Sequence, residues 1–256
     1  MIVTSDAVVL KSMRYRESSK IVTLYTRRYG KTRVVAKGAR QPKSKFGGSL
    51  EPITHIRAIF YRRENRDLHT LSQTEIRNGF FRTHSSLEKL SIGFAVVDLV
   101  NAIFHGEEEN EPAFRLLIQT LQLLDGSTEN YRNILFAFEV RLISLLGFRP
   151  DFKSCAVCGD RLSFDGGKSV AIFDFAAGGL LCTRCEERGT MKVKMSGPAC
   201  RALEVFLNSP LDEVTQLKLN SAAGKEVHEV LGNYLRYHIS GVRLFRSEEA
   251  LLRMLQ

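Results

Sequence analysis

Apolar residues in the first third of the chain come in short, alternating, β-branched runs separated by turn residues. Ala7-Val8-Val9-Leu10 opens the series. Lys20 to Thr26 follows, and Gly30-Lys31 turns the chain into Thr32 to Lys37. Ile53 to Phe60 makes a fourth run and Leu68 to Ile76 a fifth, across a turn near Asn65. Short strands at this spacing predict a small closed or nearly closed sheet. From residue 83 the period changes from two to between three and four. Leu87, Leu90, Phe94, Val97 and Val100 predict a helix from Ser86 to about His105. Pro112 opens a second, ending near Gly126, and a third runs from about Glu129 to Leu146 with Gly147 as its C-cap. Further helices are predicted at Ala199–Leu207, Ala222–Ile239 and Glu248–Leu255, with a turn or brief helix at Val214–Leu219. The expected divisions are a strand-rich segment at 1–82, a helical part at 83–150, a cysteine-bearing element at 151–198 and returning helices at 199–256.

Charge sharpens this division. Residues 1–82 hold 18 Lys/Arg against 6 Asp/Glu, a net of +12, while the remainder is slightly acidic and the whole chain carries +9. Such asymmetry points to an acidic partner, nucleic acid before an anionic membrane surface. A five-stranded barrel with basic loops is a common frame for single-stranded nucleic acid, where cations meet phosphates and aromatics stack on bases. The phosphate candidates are Arg14, Arg16, Lys20, Arg33, Lys37, Arg40, Lys43 and Lys45, with Arg62, Arg63 and Arg66 as a second basic knot. Phe46, Tyr15 and Tyr61 are the aromatic candidates. Phe46, between Lys45 and Gly47 in a basic, glycine-rich loop, reads as the least core-like of them. The acidic run Glu107 to Glu111 reads as a solvated loop.

The sharpest chemical signal is Cys155-Ala156-Val157-Cys158 paired with Cys182-Thr183-Arg184-Cys185. Two Cys-x-x-Cys pairs read as one tetrahedral zinc held by four thiolates, a closed structural site with no vacancy for a catalytic water. Phe164, Ile172, Phe173 and Phe175 are expected to pack around it. Thioredoxin-like redox pairs and an iron–sulfur cluster are rival uses of the same cysteines. Cys200 reads as a packed thiol. The chain has no phosphate-binding loop, no Gly-x-Ser-x-Gly elbow, no His-Glu-x-x-His and no histidines at ligand spacing, so no catalytic constellation emerges and a non-enzyme is expected. No run of about 18 apolar residues offers a membrane span. The N-terminus lacks the pattern of a signal peptide, and the expected compartment is the cytoplasm.

With these features assembled, the chain resembles the RecO family of bacterial recombination mediators. The resemblance rests on Tyr15-Arg16-Glu17-Ser18-Ser19-Lys20-Ile21-Val22, Gly30-Lys31, Ala36-Lys37-Gly38-Ala39-Arg40 and Phe46-Gly47-Gly48-Ser49-Leu50-Glu51-Pro52, with the late four-cysteine element found in many members. It implies a multidomain α+β fold: an N-terminal five-stranded oligonucleotide-binding barrel, then an α-helical domain carrying a small four-cysteine zinc element. It also implies DNA repair and recombination at the nucleoid. Members bind single- and double-stranded DNA, anneal complementary strands and, with RecR and sometimes RecF, help load recombinase onto DNA coated by single-strand-binding protein. A pocket in the helical domain is expected to take the acidic C-terminal tail of that coating protein, with Arg132 and Arg141 as candidates for its basic part. The readings that compete with this one are a zinc-containing nucleic-acid-binding regulator and a thiol–disulfide redox enzyme.

Overall fold

The computed structural model describes residues 1–63, 66–162 and 170–239. The helix expected at Glu248–Leu255 and the packing expected of Phe164 fall outside them. The described chain forms two compact units, one up to Gly126 and one from Ser127 onward.

In the first unit β1 (Ile2–Tyr15), β2 (Ser19–Thr26), β3 (Gly30–Ala36), β4 (His55–Tyr61) and β5 (His69–Asn78) close into a barrel in the order β1-β2-β3-β5-β4. β1 is much longer than its apolar run. Its first half pairs with β4 from Ile2 to Val8, and its second half pairs with β2. The register shifts between Val9 and Lys11, and such a bulge bends a strand so that it can serve both neighbours. A short parallel ladder, Val34 to His69 and Val35 to Thr70, closes the barrel. Val9, Val22, Leu24, Val34, Ala36, Ile56, Ala58, Phe60 and Leu71 fill its interior.

Phe46 corrects the sequence reading. It is 4 % exposed and joins the barrel core together with Leu50. A 3₁₀ turn, Gly47–Leu50, carries both inward, and the Ser49 hydroxyl bonds the Phe46 carbonyl (2.6 Å) and the Thr74 hydroxyl (2.6 Å). The basic, glycine-rich loop is therefore a plug: an apolar ring in a polar stretch gains more from the barrel interior than from water. Ile53, expected to begin the fourth strand, instead has φ +70°, an uncommon conformation for a β-branched residue. It is fully buried, and a Cβ on Gly93 would lie 2.9 Å from its Cδ1, so the glycine opens the space it fills.

Among the described residues three helices complete this unit: α1 (Phe81–His84), α2 (Leu87–Ile103) and α3 (Glu111–Gly126). Ser86 caps α2, its side chain accepting from the Lys89 amide, a contact of about 1 kcal/mol. Lys89 and Thr83 tie the helices together through Asp125, the lysine at its carbonyl and the threonine at its carboxylate.

The second unit holds α4 (Tyr131–Leu145), then β6 (Asp151–Cys155), β7 (Val170–Asp174), β8 (Gly179–Leu181) and β9 (Lys192–Ser196), then α5 (Gly197–Asn208) and α6 (Ser221–His238). The strands form a sheet in the order β6-β8-β7-β9 that the periodicity did not reveal. Phe173 stacks on Phe152 (5.6 Å) and meets the Tyr234 ring edge-on (5.3 Å), joining sheet to α6. The expected brief helix is a 3₁₀ turn, Leu211–Gln216, and the buried Asn133 side chain donates to the carbonyls of Val214 and Leu217. Among the described residues no helix is long and apolar enough to cross a membrane.

Candidate metal centre and candidate nucleic-acid interface

The four cysteines expected to act together do converge. Their sulfurs all lie within 4.8 Å of one another, and the Cys158 and Cys182 sulfurs are 3.6 Å apart. A tetrahedron of thiolates around one zinc needs sulfurs about 3.8 Å apart, from a metal–sulfur length of about 2.3 Å. The spacing therefore suits a single ion with four ligands. It does not suit two independent redox pairs, because each pair faces the other. Local backbone sets this up. Cys155 ends β6, its amide donates to the Asp160 carbonyl, and Gly159 folds the chain back at φ +77° with its amide on the Cys155 carbonyl. The second pair is closed by the Cys185 amide on the Cys182 carbonyl. Arg184 of the second pair forms an ion pair with Asp160 beside the first.

The thiols of the cluster are not electrostatically alike. Desolvation raises the Cys155 thiol, yet backbone amides of Cys182, Cys158 and Val157 outweigh it and bring its pKa to about 6. Desolvation and the surrounding thiols push Cys158 to about 12. A bound cation would hold all four as thiolates, because metal binding releases the remaining protons. Ile172 and Leu181 pack against Cys155, Cys182 and Cys185. Cys200 is buried on α5, away from the cluster, and desolvation pushes its thiol to about 12. Asp174 was not singled out from sequence. It is buried, and its carboxylate accepts from the amides of Ala177, Thr190 and Met191, fixing the loops around β8.

Two clefts at the ends of β3 collect many of the candidate cations. At one end lies a cleft lined by Tyr15, Arg16, Glu17, Val35, Lys37 and Leu68. Cross-strand pairing places Arg14 opposite Lys20, and Lys20 opposite Ala36, so these cations border the same place. At the other end, Lys31, Arg33, Arg62, Arg63 and Arg66 line a second cleft of about 530 Å³ with Asp67, His105 and Glu107. Arg14, Arg16, Arg33, Lys37, Lys43, Arg63 and Arg66 are exposed and make no ion pair among the described residues. Five candidates have occupations of their own, among them Arg16, whose guanidinium lies 5.3 Å over the Tyr15 ring. Lys20 pairs with Glu51 (2.9 Å), and Lys45 sits over the Phe46 ring at 5.3 Å. Arg40 donates to the carbonyls of Arg16 and Glu17, holding the β1–β2 turn. Arg62 is held by Glu107. Tyr61 is 44 % exposed at the end of β4, and Tyr15 is half-buried.

The acidic run is not simply solvated. Glu107 binds Arg62 and His69, and Glu111 pairs with Arg27. Two hydrogen bonds and a lowered carboxyl pKa mark the Glu111 contact, the side chains of Arg27 and Arg115 being the principal causes.

Arg132 and Arg141 do not form one basic lining. They are nine residues apart on α4, two and a half turns, which points them to opposite faces. Arg141 is half-buried, its guanidinium spent on the carbonyls of Phe206 (2.7 Å) and Ser209 (2.5 Å) at the end of α5.

Residues 1–80 match the family model described as recombination protein O N terminal, and residues 84–247 the one described as recombination protein O C terminal. A protein of Chloroherpeton thalassium named DNA repair protein RecO is 32 % identical over 252 residues, covering 97 % of this chain and 97 % of that one. Its namesake in Salinibacter ruber is 32 % identical over 253 residues, covering 98 % and 93 %. That of Desulforamulus reducens is 30 % identical over 234 residues, covering 91 % and 88 %.

Proposed function

This chain belongs to the RecO family of DNA repair proteins, and we propose that its part in repair is to hold DNA strands by their backbones on the β3 side of the barrel. The observation that carries the proposal is the pair of clefts at the two ends of β3, each bordered by exposed cations. Five-stranded barrels of this kind take oligonucleotides on the face of their second and third strands, between the first and fourth connecting loops. Here those loops carry Arg16 at one end and Arg62, Arg63 and Arg66 at the other.

Single strands and duplex are both bound through phosphates, so sequence is not read. Two strands repel each other less when each is partly neutralised, and weak backbone contacts let register be searched before base pairing drives annealing. No bond is made or broken by the protein, and the reaction is non-catalytic and needs no ATP. In the cell this amounts to recombination mediation in the cytoplasm: with RecR, and in some settings RecF, the protein helps place recombinase on DNA coated by single-strand-binding protein, whose acidic tail it engages. The four-cysteine cluster holds a structural Zn²⁺. Four thiolates are a soft, complete donor set, and the ion contributes fold and no chemistry.

The test is annealing of complementary strands pre-coated with single-strand-binding protein, without ATP. Wild-type protein accelerates it, and the triple reversal Arg16→Glu, Lys37→Glu, Lys43→Glu slows it by roughly tenfold or more, since each lost phosphate contact removes about 0.7 from the log–log salt slope. Annealing by a folded triple variant at the wild-type rate removes the proposal.

A further inference from the structure

The second cleft holds two carboxylates, Asp67 and Glu107, and of these Glu107 is bound to one of the cleft's arginines. Glu107 reaches in from the segment between α2 and α3; its Oε2 accepts from Nε of Arg62 (2.9 Å) and forms an ion pair with Nη2 at 2.8 Å. Its Oε1 is 2.5 Å from Nε2 of His69. The Nδ1 of His69 accepts from the Arg63 amide (3.2 Å), so the ring proton sits on Nε2 and is donated to Glu107. The opposite constraint on Arg62 is aromatic. Its guanidinium lies 5.3 Å over the Tyr29 ring, which rests edge-on against Phe60, itself stacked on His69.

The position of Glu107 is itself imposed. The Lys31 amide donates to the Gly106 carbonyl (2.9 Å). Gly30 is at φ +57°, and a Cβ there would come 2.3 Å from the Glu108 carbonyl oxygen. Only a glycine lets the acidic segment lie this close to the barrel. One face and one edge of the Arg62 guanidinium are thus fixed by groups that are themselves held. Nη1 has no hydrogen-bond partner among those described, and the side chain keeps 33 % of its surface exposed beside Arg63 and Arg66.

We propose that Glu107 is a positioning residue of the nucleic-acid interface: it holds Arg62 at the angle at which the free end of the guanidinium meets a backbone phosphate, and its removal weakens DNA binding although it removes a negative charge. The inference rests on the reading that this face binds DNA. It gives the opposite sign from simple electrostatics, in which losing an acid from a basic cleft tightens the grip on phosphate. Pre-organisation decides the sign, because a loose arginine loses side-chain freedom each time it binds and a held one has already lost it.

The experiment is fluorescence anisotropy of labelled single-stranded DNA against the full chain at several salt concentrations, for wild type, Glu107→Ala, Arg62→Ala and the double variant, with melting curves for each. Near 0.1 M salt one single-strand phosphate contact contributes about fivefold in affinity and about 0.7 in the log–log salt slope. Glu107→Ala and Arg62→Ala should each lose close to that much in both measures, and the double variant should be no worse than either alone. Glu107→Gln keeps an acceptor for Arg62, loses less, and serves if the alanine variant fails to fold. A general loosening of the fold would not spare the Arg62→Ala background. Wild-type binding with equal or tighter binding by Glu107→Ala, or additive losses in the double variant, overturns this inference and leaves the DNA reading standing. Failure of wild type to bind at low salt overturns both.

Discussion

Replacing Phe46 by alanine separates a structural aromatic from a stacking one. The ring is 4 % exposed and packs with Leu50 among the residues inside the barrel. Withdrawing a phenylalanine from water contributes about 1.5–3 kcal/mol. The cavity left when neighbours relax only partly brings the expected loss to about 3–5 kcal/mol. The upper part of that range applies here. The Phe46 carbonyl is anchored by the Ser49 amide and hydroxyl, and that hydroxyl is anchored by Thr74, so the plug cannot slide to fill the hole. In a unit of this size each kcal/mol lowers the melting temperature by about 4 °C, giving a fall of about 16–20 °C. Urea unfolding followed by circular dichroism measures it, with Phe46→Leu as a smaller apolar truncation that costs less than the alanine. Anisotropy with single-stranded DNA, taken where both variants are fully folded, should then differ less than twofold from wild type. A Phe46→Ala protein of native stability that has lost its DNA would refute the burial argument and restore Phe46 to the surface as a base-stacking residue.

Two further outcomes follow from the site chemistry. Cys155→Ser should reduce bound metal from one ion per chain to near none by elemental analysis under reducing conditions, and should forfeit binding free energy on the order of 10 kcal/mol. Wild-type protein that carries no zinc, or shows iron–sulfur absorption, would contradict the assignment. Stability should also fall on acidification before any carboxylate titrates. Burial is the first cause holding both His55 and His228 below the ordinary imidazole value; Arg77 at the former, and Arg132 and Arg236 at the latter, act in the same direction. The unfolded chain takes up these protons near pH 6.5 while the native one does not. Their stabilisation is therefore complete above about pH 6.5 and declines below it, by up to about 1.4 kcal/mol per pH unit for each histidine, until the native values are reached. Urea midpoints at pH 7.5 and 5.5 measure this, and Gln at position 55 should flatten the profile of the first unit; equal midpoints would show that the histidines are not held neutral.

What the chain disclosed in advance was decided locally. Alternating β-branched runs and helical stripes carry their own period, so the barrel and the principal helices were readable, and Cys-x-x-Cys carries its own geometry. What escaped was decided by distant partners. Phe46 has lysine and glycine as neighbours in sequence, yet it belongs to the apolar cluster inside the barrel. The strands β6 to β9 have three to five residues each, too short for a period to register, and Phe173 among them reads equally well as loop packing. Ile53 looks like strand because branched residues favour strands; the cavity opposite Gly93 holds it at positive φ instead. Arg132 and Arg141 lie on one helix, but a helix separates residues nine apart onto opposite sides.

The acidic run between α2 and α3 shows why net charge alone describes the first unit poorly. A domain carrying +12 over 82 residues would repel itself, yet its cations are sorted. Arg27 and Arg62 meet Glu111 and Glu107 from the helical segment, Lys20 meets Glu51, and Arg77 lies between Glu75 and Asp6. Each such pair is worth little in stability at an exposed site, at most about 1 kcal/mol. Its consequence is spatial. Neutralisation of Arg27 in the β2–β3 turn and of Arg62 within the second cleft leaves Arg14, Arg16, Arg33, Lys37, Lys43, Arg63 and Arg66 to set the potential along β3 and the turns beside it. A polyanion is drawn toward potential and not toward lysine count. The same acids that lower the overall charge therefore give the barrel a preferred side, which a uniformly basic surface of equal composition would lack.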